Sequence, residues 1–424
     1  MDFESEDDSE KENEVFIEKV LQTCENDLTI KIDSVECEAG SRQGDNYMSL
    51  IKRAAVQGKC RDSDYQRKLI VKRQISSISR RQLFRCDEAF ANEIAAYTQV
   101  LPHLRDFSGD RLPYPECLFA GFDDSQKEVI ILEDLRESGF EMEDRLKGLD
   151  YPHCSLVMQE LGNLHAISLA MKATQPETFE RMKRSISEIV YCPEAREVIS
   201  NTLECSLRDT LASLRVTNAN GDLTGAIGRI EQLQGSMYDI MSRHVLDNED
   251  SWLVICHGDI WINNLMFRRI RSHVEQVKLL DLQTMRCTSP VIDILHFIYT
   301  STVRDFRHAH LDQLLTDYHT TLNASLRHYL PPPDDQDTLN RLQTQFSLAR
   351  IKRELQRKML YGLGNAMWLM PAITFHPNRI PDLNAVTMTD FGNTQMTQML
   401  TPEYHRRIRE MVLEFYEQGL LQDL

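Results

Sequence analysis

The chain has 424 residues, 42% of them hydrophobic, which is enough apolar material for one large two-lobed domain or two domains. Its net charge of −17, from 65 acidic and 48 basic residues, argues against non-specific binding to nucleic acid or to an anionic membrane, since both need a basic surface. Ten cysteines show no CxxC pair and no His-Cys cluster, so a zinc framework is not expected and reduced thiols are.

The N-terminal run MDFESEDDSEKENE has no apolar stretch of the signal-peptide kind, and residues 1–13 read as a disordered acidic tail. No run of 18 apolar residues occurs, so no membrane insertion is expected and the cytoplasm is the expected location. Phe16, Ile17, Val20, Leu21 and Leu28 recur near helical spacing and predict an entry helix. Residues 33–57 read as two strands around the loop GSRQGDN, residues 40–46. Such a loop, with Gly44 and Asn46 in it, can lay backbone N–H groups over phosphates, although Gly-Asp-Asn is also an ordinary hairpin turn. KLIVKR, residues 68–73, predicts a third strand that delivers Lys72. Alone, Lys72 is a solvated strand-end lysine. The helical pattern of Phe84, Phe90, Ile94, Tyr97 and Leu101 that follows changes this reading, because a carboxylate on that helix can orient the lysine toward phosphates. Glu88 and Glu93 both qualify.

Residues 117–122 and 128–132 predict an antiparallel pair, with Asp123-Asp124-Ser125 as its turn and Glu133-Asp134-Leu135 directly after it. From Pro152 the pattern is mainly helical, with helices over residues 186–214 and 227–245, and with His165 as a structural histidine. An apolar run from Trp252 to Cys256 then ends in His257-Gly258-Asp259, Asn264 follows after four intervening residues, and a second run, Val277 to Leu280, delivers Asp281. This ordered set is the pattern of phosphoryl transfer from ATP. Asp259 has the chemistry to orient an attacking hydroxyl and take its proton. Asn264 and Asp281 offer one amide oxygen and one carboxylate, a donor pair suited to magnesium shared with phosphates. Gln283 stands where a DFG-type loop has glycine. Asp293 opens a helix and is expected to support the catalytic loop, together with His257.

HGDIWINNLMF, KLLDLQ and SPVIDILHF resemble the insect ecdysteroid-kinase-like family, also called CHK kinase-like, within the aminoglycoside phosphotransferase and choline kinase superfamily. The resemblance runs from roughly Gly40 to Phe415. It implies a two-lobed, protein-kinase-like α+β fold: an antiparallel N-lobe sheet with its helix over residues 14–132, and a mainly helical C-lobe over residues 133–424 around a core of about 130–330. It further implies that the loop with Gly44 and Asn46 covers the nucleotide, that Glu93 rather than Glu88 partners Lys72, and that the backbone from Glu133 to Leu135 meets the adenine edge. ATP and Mg2+ are the implied cofactors, and a small-molecule alcohol, an ecdysteroid or another apolar alcohol, is the implied acceptor. Phe297, Ile298 and Tyr299 with Met367, Trp368, Leu369 and Met370 are expected to line its pocket, core packing being the competing use. A choline- or ethanolamine-type kinase and a pseudokinase that binds nucleotide or a hydrophobic ligand are the other readings. Nothing in the sequence sets an oligomeric state.

Overall fold

The computed structural model describes residues 6–40, 49–75, 78, 81–82, 85–109, 111–375 and 400–422. Two lobes follow one another in the chain. The N-terminal one is a five-stranded antiparallel sheet in the order β1-β2-β3-β5-β4, made of β1 (Ile30–Ala39), β2 (Ser49–Cys60), β3 (Ser63–Gln74), β4 (Cys117–Phe122) and β5 (Glu128–Glu133). Alternation along the strands decides what each face carries. Leu69 and Val71 of β3 and Val129 and Ile131 of β5 point to one side, where Phe16, Ile17, Val20 and Leu21 of helix α1 (Glu6–Cys24) cover them. Each such aliphatic side chain contributes about 2 kcal/mol by leaving water. The period of two then places Lys72 on the opposite face. Ile130 of β5, paired with Lys72 in register, is buried on that side with Phe90 of α2 (Cys86–Ala95). A π-helical turn, Ala96–Val100, joins α2 to α3 (Leu101–Ser108).

The C-terminal lobe is built on helices. A short strand β6 (Phe140–Glu141) precedes α4 (Tyr151–Thr174), α5 (Pro176–Ser185), α6 (Arg196–Thr217), α7 (Thr224–Glu231) and α8 (Met237–Leu246). Four short strands then carry the loops of interest: β7 (Val254–Cys256), β8 (Leu265–Ile270), β9 (His273–Leu279) and β10 (Arg286–Thr288). β7 pairs with β10, and β8 lies between β6 and β9. Among the described residues, six helices close the lobe: α9 (Val291–Ser301), α10 (Arg304–Tyr329), α11 (Gln336–Gln345), α12 (Leu348–Arg357), α13 (Met359–Thr374) and α14 (Pro402–Glu417). α4 lies against α10, where a side chain on Gly162 would come within 2.7 Å of the Tyr318 carbonyl, so the bare backbone permits the close approach. No helix among the described residues is long and apolar enough to cross a membrane.

Three expectations need correction. The first helix begins at Glu6, so residues 6–13 are helical where a disordered tail was expected. Their charged residues are adequate helix formers, and acidic groups suit a helix N-terminus. The helix expected from residue 186 starts only at Arg196. Residues 186–192 are irregular because side chains satisfy their backbone: Asn92 accepts the Ser187 N–H at 2.8 Å, and Glu188 accepts those of Val190 and Tyr191 at 2.9 Å. The helix expected over 227–245 is two helices, separated at Gly235 with φ +75°.

Candidate active site

The short β7 strand is buried throughout and ends at Cys256, directly before His257-Gly258-Asp259. The chain turns there through Gly258 at φ +87°, and a side chain at that position would lie 2.0 Å from the Thr284 carbonyl. Only glycine fits between His257 and Asp259. Asp293, on the first turn of α9 and fully buried, holds the same turn from below. Its two carboxylate oxygens accept the N–H groups of His257 and Gly258 at 2.8 and 2.9 Å. His165 Nε2 stands 3.3 Å from the same carboxylate, while its Nδ1 is 2.9 Å from the Tyr318 hydroxyl. Burial alone would raise the Asp293 carboxyl, but His165, His257 and the Gly258 N–H outweigh it and hold it below the usual range. His165, Cys256 and Asp293 lie close enough to share a cation. Their polar atoms are instead engaged in hydrogen bonds within the fold.

Asp259 is thereby fixed at the mouth of the turn, with 30% of its side chain exposed. Asn264 donates to it twice, to its carbonyl and to Oδ2, each at 2.9 Å. With both N–H groups so engaged, Oδ1 is the Asn264 atom left for a cation. Burial and the nearby Asp281 push the Asp259 carboxyl up to about 7. His296, one turn after Asp293 on α9, brings Nε2 to 3.3 Å from Asp259 Oδ1 without hydrogen-bond alignment. Burial lowers this imidazole to about 3, so it is neutral at physiological pH.

Asp281 enters the cleft from the end of β9 with φ +66°. A non-glycine residue in this region carries about 1–3 kcal/mol of strain and persists only where its surroundings over-determine it. Here they do. Lys72 Nζ lies 3.0 Å from Asp281 Oδ1 and 2.6 Å from Glu93 Oε2. Burial opposes the charge on Lys72, but Asp281 and Glu93 together raise its pKa above the ordinary value. Burial pushes the Glu93 carboxyl up in spite of that contact, because its side chain is only 1% exposed. Glu88 instead pairs with Arg85, so the geometry selects Glu93 as the partner of Lys72. Beyond Asp281, Asn92 on α2 donates to the carbonyls of Gln283 and Met285 at 2.9 and 3.0 Å. The loop that lacks the glycine is therefore tied to the helix that carries Glu93.

Gly44 and Asn46 lie outside the described residues. At the junction of the lobes, the Glu133 N–H donates to the Glu116 carbonyl at 3.0 Å and the Asp134 N–H to the Lys68 carbonyl at 3.3 Å. Neither N–H is left for a base. Leu135 is buried against Phe140 and Met266, and Asp134 accepts Arg53 Nε at 2.6 Å. The expected acceptor lining fails. Phe297, Ile298, Tyr299, Met367 and Met370 are buried in the main core, and Trp368 and Leu369 pack against it. Every residue of α9 is buried, so Phe297, Ile298 and Tyr299 pack inside the lobe, while Asp293 and His296 of the same helix reach the catalytic turn. Asn92, Arg286 and His296 escaped the sequence reading. The only signal was periodicity: His296 lies three residues after Asp293 on one helical face, and Asn92 adjoins Glu93.

A family model described as the ecdysteroid kinase-like family matches residues 43–330, more than half of the chain. The chain belongs to that family. The match stops well short of Phe415, so α11 to α14 lie beyond it. No curated protein sequence matches the chain. Among solved structures, this family member is similar to an ethanolamine kinase of Plasmodium vivax, at 14% identity and a TM-score of 0.40 over 96% of this chain and 91% of that one. It is also similar to a choline/ethanolamine kinase family protein of Mesorhizobium loti, at 13% identity and 0.34 over 80% and 92%. A third likeness is to the GDP complex of wild-type aminoglycoside 2'-phosphotransferase-IIIa, at 12% identity and 0.36 over 84% and 97%. These likenesses are too slight to bear on the acceptor. Kinase-type small-molecule chemistry rests on the family match.

Proposed function

We propose that this ecdysteroid kinase-like protein is a cytoplasmic enzyme that transfers the γ-phosphoryl group of ATP to a hydroxyl of an ecdysteroid or another neutral alcohol. The observation that carries the reading is the convergence of Lys72, Glu93 and Asp281 within 3.0 Å, next to the Asn264-bound carboxylate of Asp259. In the proposed step the acceptor oxygen attacks the γ-phosphorus. The bond from that phosphorus to the bridging β,γ-oxygen breaks, ADP departs, and the acceptor proton passes to Asp259. Such transfer is mostly positioning and charge stabilisation, so few groups are needed. Lys72, oriented by Glu93, would hold the α- and β-phosphates. The base would be read at the backbone of Leu135, since the two preceding N–H groups are already bonded.

Asn264 Oδ1 and the Asp281 carboxylate fit magnesium, a hard cation that takes oxygen ligands and keeps positions for phosphates. Bound there, it would neutralise charge on the β- and γ-phosphates. Lys72 now offers the only cation seen against Asp281 among the described residues. Asp293 and Gly258 preserve the turn, and His296 remains neutral beside Asp259.

The test is ATP consumption by the purified protein with magnesium, screened over steroid alcohols, glycosides and amino alcohols. Phosphorylation of a steroid or similar neutral alcohol is expected. Preferential formation of phosphocholine or phosphoethanolamine would establish the choline-type reading, and no phosphorylated product from any acceptor would leave a nucleotide-binding pseudokinase.

A further inference from the structure

Arg286 opens β10 opposite Cys256 of β7 and is almost fully buried. One end of its side chain lies on the catalytic turn. Its Nε donates to the Thr284 carbonyl at 3.1 Å and sits 3.1 Å from where a side-chain carbon on Gly258 would be, one residue before Asp259. The other end lies in surroundings of opposite character. Nη1 is 3.1 Å from Glu188 Oε2, and the guanidinium carbon is 5.9 Å from the centre of the Tyr191 ring. Tyr361, buried on α13, is a further electrostatic neighbour of both Arg286 and Asp259. Burial opposes the charge on Arg286, yet Glu188, Tyr361 and Tyr191 raise its pKa above the ordinary value.

A carboxylate with aromatic faces around a cation is the composition by which proteins hold quaternary ammonium groups. Here the cation belongs to the chain. The carboxylate is also pre-aimed, since Glu188 Oε1 accepts two backbone N–H groups, leaving Oε2 toward Arg286. Around this group lie buried polar atoms without a hydrogen-bond partner among the described residues: Tyr191 Oη, Thr284 Oγ1 and both ring nitrogens of His296. Unpaired buried polar atoms are few in folded proteins and call for a physical account.

We propose that the Glu188 carboxylate and the Tyr191 ring form an ammonium-type site that the chain fills with its own Arg286, next to the turn that carries Asp259, so that the enzyme accepts neutral alcohols and refuses ammonium alcohols. This rests on the reading of Asp259 as the acceptor end of the cleft. An ammonium acceptor would meet a fixed guanidinium where its own charge needs a carboxylate. A neutral, multiply hydroxylated acceptor would instead find Tyr191, Thr284 and His296 as hydrogen-bond partners.

The test uses the full chain and its Arg286→Ala variant, with tetramethylammonium as the probe and calorimetric titration as the readout. The wild type should give no binding, and the variant should bind with a millimolar Kd. Equal binding by both proteins, or none by a variant with a cooperative melting curve, overturns the proposal. Should Arg286→Ala lose its fold, methylguanidinium should restore the melting transition in a dose-dependent way, and failure to do so overturns it as well. In transfer assays the choline-to-steroid ratio of kcat/KM should rise at least tenfold in the variant. If the wild type phosphorylates no alcohol at all, the proposed function fails while the binding result still decides the site.

Discussion

Asn264 donates both of its amide hydrogens to one residue, reaching the Asp259 carbonyl and the Asp259 carboxylate at 2.9 Å each. The contact aims the carboxylate and at the same time turns the amide oxygen into the group available to a cation. Asp259 and Asn264 are therefore separable in function. Asp259→Asn should bind Mg-ATP as the wild type does and lose about 10²- to 10⁴-fold in turnover, the usual contribution of a general base. Calorimetry of Mg-ATP together with initial rates checks this. A rate above a tenth of wild type would place the base elsewhere.

Asp281 faces a cation already, at 3.0 Å in the form of Lys72, and its strained backbone is what brings it there. Asp281→Asn should keep the fold, weaken magnesium-dependent ATP affinity at least tenfold and abolish transfer. Unchanged affinity and rate in the same titration would remove Asp281 from the metal site.

Lys72 is held by two carboxylates, and Glu93 is the closer of them at 2.6 Å. Lys72→Met retains most of the stem and should lose nearly all activity. Glu93→Gln keeps a hydrogen-bond acceptor and should lose less. If Lys72→Met transfers phosphate at the wild-type rate, another lysine binds the phosphates.

Asp293 is fully buried and accepts two backbone N–H groups of the catalytic turn. Asp293→Ala leaves both donors unpaired, at about 1–3 kcal/mol each. The denaturant midpoint should fall accordingly, and activity should fall further than stability because the turn carries Asp259. A variant as stable as the wild type would show that water or a neighbour satisfies the turn.

Two histidines make the fold acid-sensitive. Burial lowers His296 to about 3, and burial with Lys358 and Arg357 lowers His244 to about 4. Unfolded, each titrates near the ordinary imidazole value of 6.5. Between those values the unfolded chain binds more protons, so stability is fully present above pH about 6.5 and is lost as pH falls toward 4. Urea midpoints should drop from pH 7 to pH 4.5, and His296→Gln should flatten part of that drop. A His296→Gln variant whose midpoint falls as far as that of the wild type over this range would contradict the buried, neutral state of His296.

Much of the site was legible in the chain because it is local. His257-Gly258-Asp259, Asn264 and Asp281 stand at strand ends of a set order, and alternation along KLIVKR already separates Lys72 from Leu69 and Val71. The antiparallel N-lobe sheet follows from the same period-two patterning, and the family membership from the motifs. What the chain order could not disclose were contacts between residues far apart in sequence. Whether Glu93 or Glu88 meets Lys72 depends on how α2 is rotated against β3. Whether residues 297–299 and 367–370 wall a pocket or fill a core depends on what surrounds α9 and α13, and helical periodicity does not report an occupant on every side. Glu188 and Arg286, 98 positions apart, form an ion pair only because the irregular segment at 186–192 is drawn by Asn92 and Arg286 against the catalytic loop. Local propensity wrote the motifs; long-range packing, which acts through burial and charge in a low-dielectric interior, decided which of their neighbours became part of the site.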